Sequence, residues 1–223
     1  NKTKFIGTRE DLQNIVNYRL TKKDFIDKLM NCSFYKDTLA KIQESLQKEN
    51  MNIIKKAKKE RSKKISDKFF SSQAQDNIFL VEGNSAGGSL NQVRNPKVDA
   101  IYTLRGKLKN AKTIQDLSEN TEIVDLMNIL NLEINDKGTN CKWKKIIIAV
   151  DFDPDGIGHI ASLIIQLFYK WFPDIINKGK LFILSTPLVS TDTSKGVREY
   201  YYSLDDFSKS NAANKKNVRY LKG

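Results

Sequence analysis

The stretch Lys145–Val150 (KIIIAV) is apolar from its second residue and ends directly on Asp151-Phe152-Asp153-Pro154-Asp155-Gly156. A continuous β-branched run of this length is the pattern of a central strand buried on both faces, which requires covering layers on both sides. Neighbouring segments supply those layers. Ile78–Val81 and Asp99–Leu104 are strand candidates, and Glu122–Leu132 places Ile123, Leu126, Met127 and Leu130 on one helical face. Gly158–Phe172 is an apolar helix stopped by Pro173, and Leu181–Leu184 and Glu199–Ser203 complete the strands. Strand and helix in alternation predict an α/β fold, a mostly parallel sheet flanked by helices.

The acidic turn constrains the chemistry. Three carboxylates at alternate positions repel one another unless something positive lies among them. At the carboxyl end of a strand in an open α/β sheet they stand where ligands bind, and oxygen donors suit a hard cation such as Mg²⁺. A calcium-binding helix–loop–helix reading fails because Ser162 occupies the position of its bidentate Glu and a strand precedes the loop. A metal-free helix-capping turn is the other local alternative. Glu82 also ends an apolar strand and precedes Gly83-Asn84-Ser85-Ala86-Gly87-Gly88, a glycine-rich strand-to-helix turn. That segment lacks the G-K-[ST] ending of a P-loop and is weak evidence alone. Together the two turns suggest carboxylates meeting at one face of the sheet, able to hold one or two Mg²⁺ beside a phosphodiester.

Residues 1–75 differ in character. There is no Pro or Gly from 8 to 82, and Leu39, Ile42, Leu46 and Ile53 recur at helical spacing between charges. The run Lys55–Lys64 holds seven cations and one Glu, which predicts a solvated helix end or a phosphate-contacting surface. The whole chain of 223 residues carries 38 Lys+Arg against 26 Asp+Glu, a net charge of +12 that favours nucleic acid as partner. No run approaches the roughly 18 apolar residues of a membrane span. Cys32 and Cys141 have no C-x-x-C partner, which speaks against a zinc ribbon or disulfide framework and for a reducing compartment. The first residues show no secretory leader pattern, and the chain is expected to be a piece of a longer protein.

The motifs resemble the toprim domain of topoisomerases and primases, in its type IIA topoisomerase form. Glu82–Gly88 is similar to that family's E-G-D-S-A-G-G, and Asp151–Gly156 to its D-x-D-x-D-G. Thr103-Leu104-Arg105-Gly106-Lys107-Leu108-Lys109-Asn110 resembles P-L-[KR]-G-K-x-x-N, with Thr for Pro. Arg219-Tyr220-Leu221-Lys222-Gly223 resembles the start of R-Y-x-K-G-L-G, and Asn1-Lys2-Thr3-Lys4 the ATP-sensing Q-T-K loop, with Lys2 in the Gln position. Two departures stand out. Asn84 replaces the family's Asp, and Asp155–His159 is one residue longer than the cellular D-G-[AS]-H, a feature similar to tailed-phage enzymes.

The resemblance implies a fragment of the ATPase-bearing part of a type IIA topoisomerase, with residues 1–75 the end of the transducer domain and 76–223 the toprim domain. Glu82, Asp151 and Asp153 are the implied catalytic residues, holding Mg²⁺ together with Asp155. Arg105, Lys107, Asn110 and His159 are the implied DNA-proximal residues, and Lys4 the ATP-sensing one. The implied partners are double-stranded DNA, a breakage-reunion subunit or domain carrying the catalytic tyrosine, and a second copy of the complete enzyme, without a membrane. ATP would act in the complete enzyme, and the expected location is the cytoplasm or nucleoid. Tyr200, Tyr201 and Tyr202 are expected to alternate between core and surface rather than cleave DNA, and Tyr220 to pack. A primase or nuclease of the same domain type lacks TLRGKLKN and RYLKG. A non-catalytic scaffold finds its support in Asn84.

Overall fold

The computed structural model describes residues 8–62, 68–105, 108–151, 156–193, 195–210 and 216–221. They fall into two compact units, residues 1–52 and 53–223. In order, the elements are α1 (Arg9–Leu20), α2 (Lys23–Asn31), α3 (Ser33–Arg61), β1 (Phe69–Phe70), β2 (Asn77–Glu82), α4 (Gly83–Val93), β3 (Asp99–Leu104), α5 (Ile114–Glu119), α6 (Thr121–Leu130) and β4 (Lys145–Ala149). A π-helical turn at Gly156–Ala161 leads into α7 (Ser162–Trp171), followed by α8 (Pro173–Asn177), β5 (Leu181–Ile183), β6 (Val189–Asp192), β7 (Arg198–Tyr201), α9 (Leu204–Lys209) and β8 (Lys216–Tyr220). Among the described residues, no helix is long and apolar enough to cross a membrane.

The first unit is helical, as its sequence predicts. Helix α1 opens with a capping box: the Thr8 hydroxyl accepts from the Asp11 amide and the Asp11 carboxylate accepts from the Thr8 amide. None of its described residues is buried. Ile42 and Leu46, apolar at helical spacing, are 50% and 52% exposed.

The second unit is built on a five-stranded sheet in the order β1-β3-β2-β4-β5. β2 pairs in parallel with β3 and β4, and β4 with β5; only β1 is antiparallel, to β3. This is the mostly parallel α/β fold expected. Ile78, Leu80, Ile146 and Ile148, on one face of the sheet, are fully buried, whereas Phe79 and Ile147 on the opposite face are half-buried, so the second face is covered less completely than the apolar run predicts. The pairing register sets Val81 beside Ala149 and Glu82 beside Leu104, so β2, β3 and β4 end together along one edge. A second, three-stranded antiparallel sheet, β7-β6-β8, follows. β6 and β8 escape the sequence reading. In β6 the residues Ser190 and Thr191 are polar yet buried, so no apolar alternation marks the strand.

Helix α4 packs against β3 unusually closely. A Cβ at Gly87 would overlap Thr103 Cγ2, so only glycine at this position permits the approach. The segment expected to be a turn is the first turns of a helix. The apolar helix expected from Gly158 likewise begins differently. It is preceded by the wider π turn, where the Ser162 hydroxyl donates to the Ile157 carbonyl at 3.2 Å.

The basic run at the end of α3 is divided between two environments. Lys55, Lys56 and Lys59 are exposed, whereas Lys58 and Arg61 turn onto α6 and the residues after it. Arg61 grips the fully buried Asp125 with two hydrogen bonds, Nε to Oδ1 at 2.8 Å and Nη2 to Oδ2 at 2.5 Å. Lys68 pairs with the buried Glu122, and the Tyr102 hydroxyl donates to Glu122 Oε2 at 2.9 Å. Burial first, then the Glu122 charge, pushes the Tyr102 phenol above its ordinary value, while the bond to Asp125 raises that of Arg61. Lys58 adds bonds to the Leu132 carbonyl at 3.0 Å and to Glu133 at 2.6 Å.

Two stability outcomes follow from this packing. Gly87→Ala should cost about 1–3 kcal/mol through overpacking, and adding Thr103→Ser, which removes the overlapping methyl, should restore much of it in urea unfolding. Asp125→Ala should cost about 3–5 kcal/mol, because it leaves the Arg61 charge without its buried partner. Unfolding midpoints equal to that of the native chain would contradict either statement.

Candidate metal and nucleic-acid site

Three parallel strands deliver the site. Glu82 is the last residue of β2, Arg105 follows β3, and Asp151 lies two residues past β4. Because the strands end in register, the Glu82 and Asp151 side chains open onto the same cleft of about 540 Å³. Both carboxylates are exposed, and the cleft is completed by Ser85, Ala86 and Ser89 of α4 with Ala149 and Val150. Ser85 and Ser89 escape the sequence reading. Their spacing of four residues would have placed them on one face had the glycine-rich segment been read as helix.

At the other end of the acidic turn, Gly156 lies so close to Asp151 that a Cβ would overlap the Asp151 carbonyl oxygen. The glycine of D-x-D-x-D-G thus lets the chain fold back beside the strand end it has just left. His159, in the π turn, is exposed. Asp153, Asp155, Lys107 and Lys4 lie outside the described residues.

The remaining described candidates occupy neighbouring positions. Arg105 donates from Nε to Asn84 Oδ1 at 2.6 Å, bridging the ends of β3 and β2. Asn110 lies in the segment after it, which α7 ties down: Trp171 Nε1 donates to the Ala111 carbonyl at 2.9 Å and Lys170 Nζ to the Lys112 carbonyl at 2.6 Å. Leu108 and Ala111 are buried, leaving Lys109 and Asn110 exposed. Asn110 and Lys109 line a separate hollow of about 310 Å³ with Asp116, Glu119 and residues 120–122, not the cleft of Glu82 and Asp151.

The donor set suits magnesium. Glu82 and Asp151 offer oxygen alone, and their exposure leaves room for the waters that a small, strongly hydrated cation retains. Among the described residues no group of three or more His, Cys, Asp or Glu side chains is placed to hold an ion. Zinc-type ligation finds no thiolate here, since Cys141 is buried in the core and burial raises its thiol. Of the tyrosines, Tyr200 and Tyr202 are exposed and Tyr201 half-buried, the alternation expected of a strand. Tyr220 is 73% exposed, with its ring edge against Phe207 at 6.2 Å between centroids.

Residues 77–186 match the Toprim domain family. The chain is 34% identical over 225 residues to the B subunit of DNA topoisomerase 4 from Borreliella burgdorferi, a likeness covering 91% of this chain and 37% of that protein. It is 38% identical over 130 residues to the B subunit of DNA gyrase from Spiroplasma citri, covering 56% of this chain and 20% of that one. The chain thus spans little more than a third of the longer-matching relative. Among solved structures, the DNA-binding, cleavage and re-ligation domain of Plasmodium falciparum topoisomerase II superposes with a TM-score of 0.60 at 22% identity, covering 70% of this chain and 24% of that one. That likeness concerns the fold. Domain match and relatives agree that the chain is a segment of the type IIA topoisomerase family that carries its toprim domain.

Proposed function

We propose that this chain is the metal- and DNA-handling part of an ATP-driven type IIA topoisomerase, with residues 1–75 the end of its transducer domain and 76–223 its toprim domain. The observation that carries the proposal is the convergence of Glu82 and Asp151 on one cleft at the carboxyl edge of a parallel sheet. The likeness to a topoisomerase also extends over 91% of the chain, well beyond residues 77–186, which favours this reading over a primase or nuclease.

Glu82, Asp151 and Asp153 would hold Mg²⁺, with Asp155 as a further ligand. When bound, the ion supplies positive charge beside the scissile phosphate, where negative charge accumulates during cleavage and religation. Glu82 is also suited to carry a proton to or from the 3′-oxygen during religation, since its carboxylate is exposed to the cleft. Arg105, Lys107 and Asn110 would contact the DNA backbone, with His159 near it. Such contacts position the duplex without reading its sequence and weaken with salt. The attacking tyrosine would come from a partner subunit or domain, and Lys4 would sense ATP in the complete enzyme.

In the complete enzyme with its tyrosine-bearing partner, Glu82→Gln and Asp153→Asn should each reduce Mg²⁺-dependent plasmid cleavage on the order of 100-fold. ATP hydrolysis should stay near the native level in both. Normal cleavage by both variants would remove these carboxylates from the metal site. The isolated 223-residue chain should not relax supercoiled plasmid, because the tyrosine and the full ATPase lie elsewhere in the proposed enzyme. Relaxation by the purified chain would contradict that division of labour.

A further inference from the structure

We propose that Asn84 is a positioning residue for Arg105, orienting the guanidinium at the DNA-facing strand edge through a neutral hydrogen bond that adds no negative charge beside it. The inference rests on the reading of Arg105 as a DNA contact.

The geometry is local and specific. Glu82 and Leu104 pair across β2 and β3, so Asn84 and Arg105 leave neighbouring strand ends within two residues of that pair. Arg105 Nε donates to Asn84 Oδ1 at 2.6 Å, and both residues are exposed. A free arginine side chain samples many rotamers, and fixing it costs entropy. An acceptor on Nε defines the plane of the guanidinium, and the two Nη groups lie at the far end of that rigid fork. A side chain oriented in advance loses less freedom when a phosphate arrives.

The chemical identity of the acceptor matters because two carboxylates, Glu82 and Asp151, already face the adjoining cleft. A carboxylate at 84 would accept the same hydrogen bond but would pair with the guanidinium charge and add a further negative group at this edge. The amide accepts without a net charge. Asn84, which departs from the Asp of E-G-D-S-A-G-G, is therefore consistent with retained DNA handling and does not by itself argue for a non-catalytic scaffold.

The test is duplex binding by the complete enzyme in EDTA, measured across a range of salt, for Asn84→Ala, Asn84→Asp, Arg105→Ala and the two double variants. Arg105→Ala should reduce the slope of log affinity against log salt by about one, the loss of one phosphate contact. Asn84→Ala should weaken binding at fixed salt roughly three- to tenfold, and Asn84→Asp should reduce the slope by about one. In the Arg105→Ala background Asn84→Ala should have no further effect, whereas Asn84→Asp should weaken binding further through its added negative charge alone, with thermal midpoints unchanged throughout. Additive losses in the Asn84→Ala/Arg105→Ala double variant, or unchanged binding by both Asn84 variants while Arg105→Ala weakens it, would overturn the proposal alone. Native binding by Arg105→Ala would overturn it together with the DNA role of Arg105, leaving the cleavage test of Glu82 and Asp153 to stand or fall separately.

Discussion

The candidate site depends on the parallel pairing of β2 with β3 on one side and β4 on the other. Side chains alternate along a strand, so a slip of one residue in β4 would turn the Ile146 and Ile148 positions out of the core and carry Asp151 away from Glu82. Burial of these isoleucines, both at 0% exposure, enforces the register. Two exposed carboxylates that would repel one another are thus held along one edge by apolar packing several residues away. The repulsion is small while both face water, and it makes the edge receptive to a cation.

A second constraint ties the remainder of the unit to that sheet. Asp125 and Glu122 on α6 are buried charges, which is tolerable only because Arg61, Lys68 and Tyr102 satisfy them together. Lys68 also offers its backbone carbonyl to the Thr103 amide at 2.9 Å. Thr103 in turn packs against Gly87 of α4, the helix that begins at Glu82 and lines the cleft. The end of α3, the sheet and the site helix therefore share one continuous set of contacts, all within residues 53–223.

Much of this was legible from residue pattern. The apolar run before Asp151 marked its own strand and the candidate site's edge, because a continuous β-branched run is recognisable without reference to its partners in sequence. Strands β2 and β3 were equally plain. What escaped depends on contacts distant in sequence. The inward turn of Arg61 is invisible in a basic run, since its partner Asp125 lies 64 residues away. β1 is two residues long and exists through its pairing with β3. GNSAGG is helical against its local propensity, and the close approach of Gly87 to Thr103 is a tertiary contact that the segment itself does not announce. The π turn before α7 is likewise set by no residue type that announces it.

The central claim is that Glu82 and Asp151 share a magnesium site. Its most direct test is Mn²⁺ titration of the isotopically labelled 223-residue chain, followed by paramagnetic broadening of assigned amide resonances with Mg²⁺ as competitor. The account predicts that amides adjoining Glu82 and Asp151 broaden first, that excess Mg²⁺ reverses the effect, and that Asp151→Ala abolishes it. Broadening centred instead on Asp116 and Glu119, or unaltered by Asp151→Ala, would contradict the assignment.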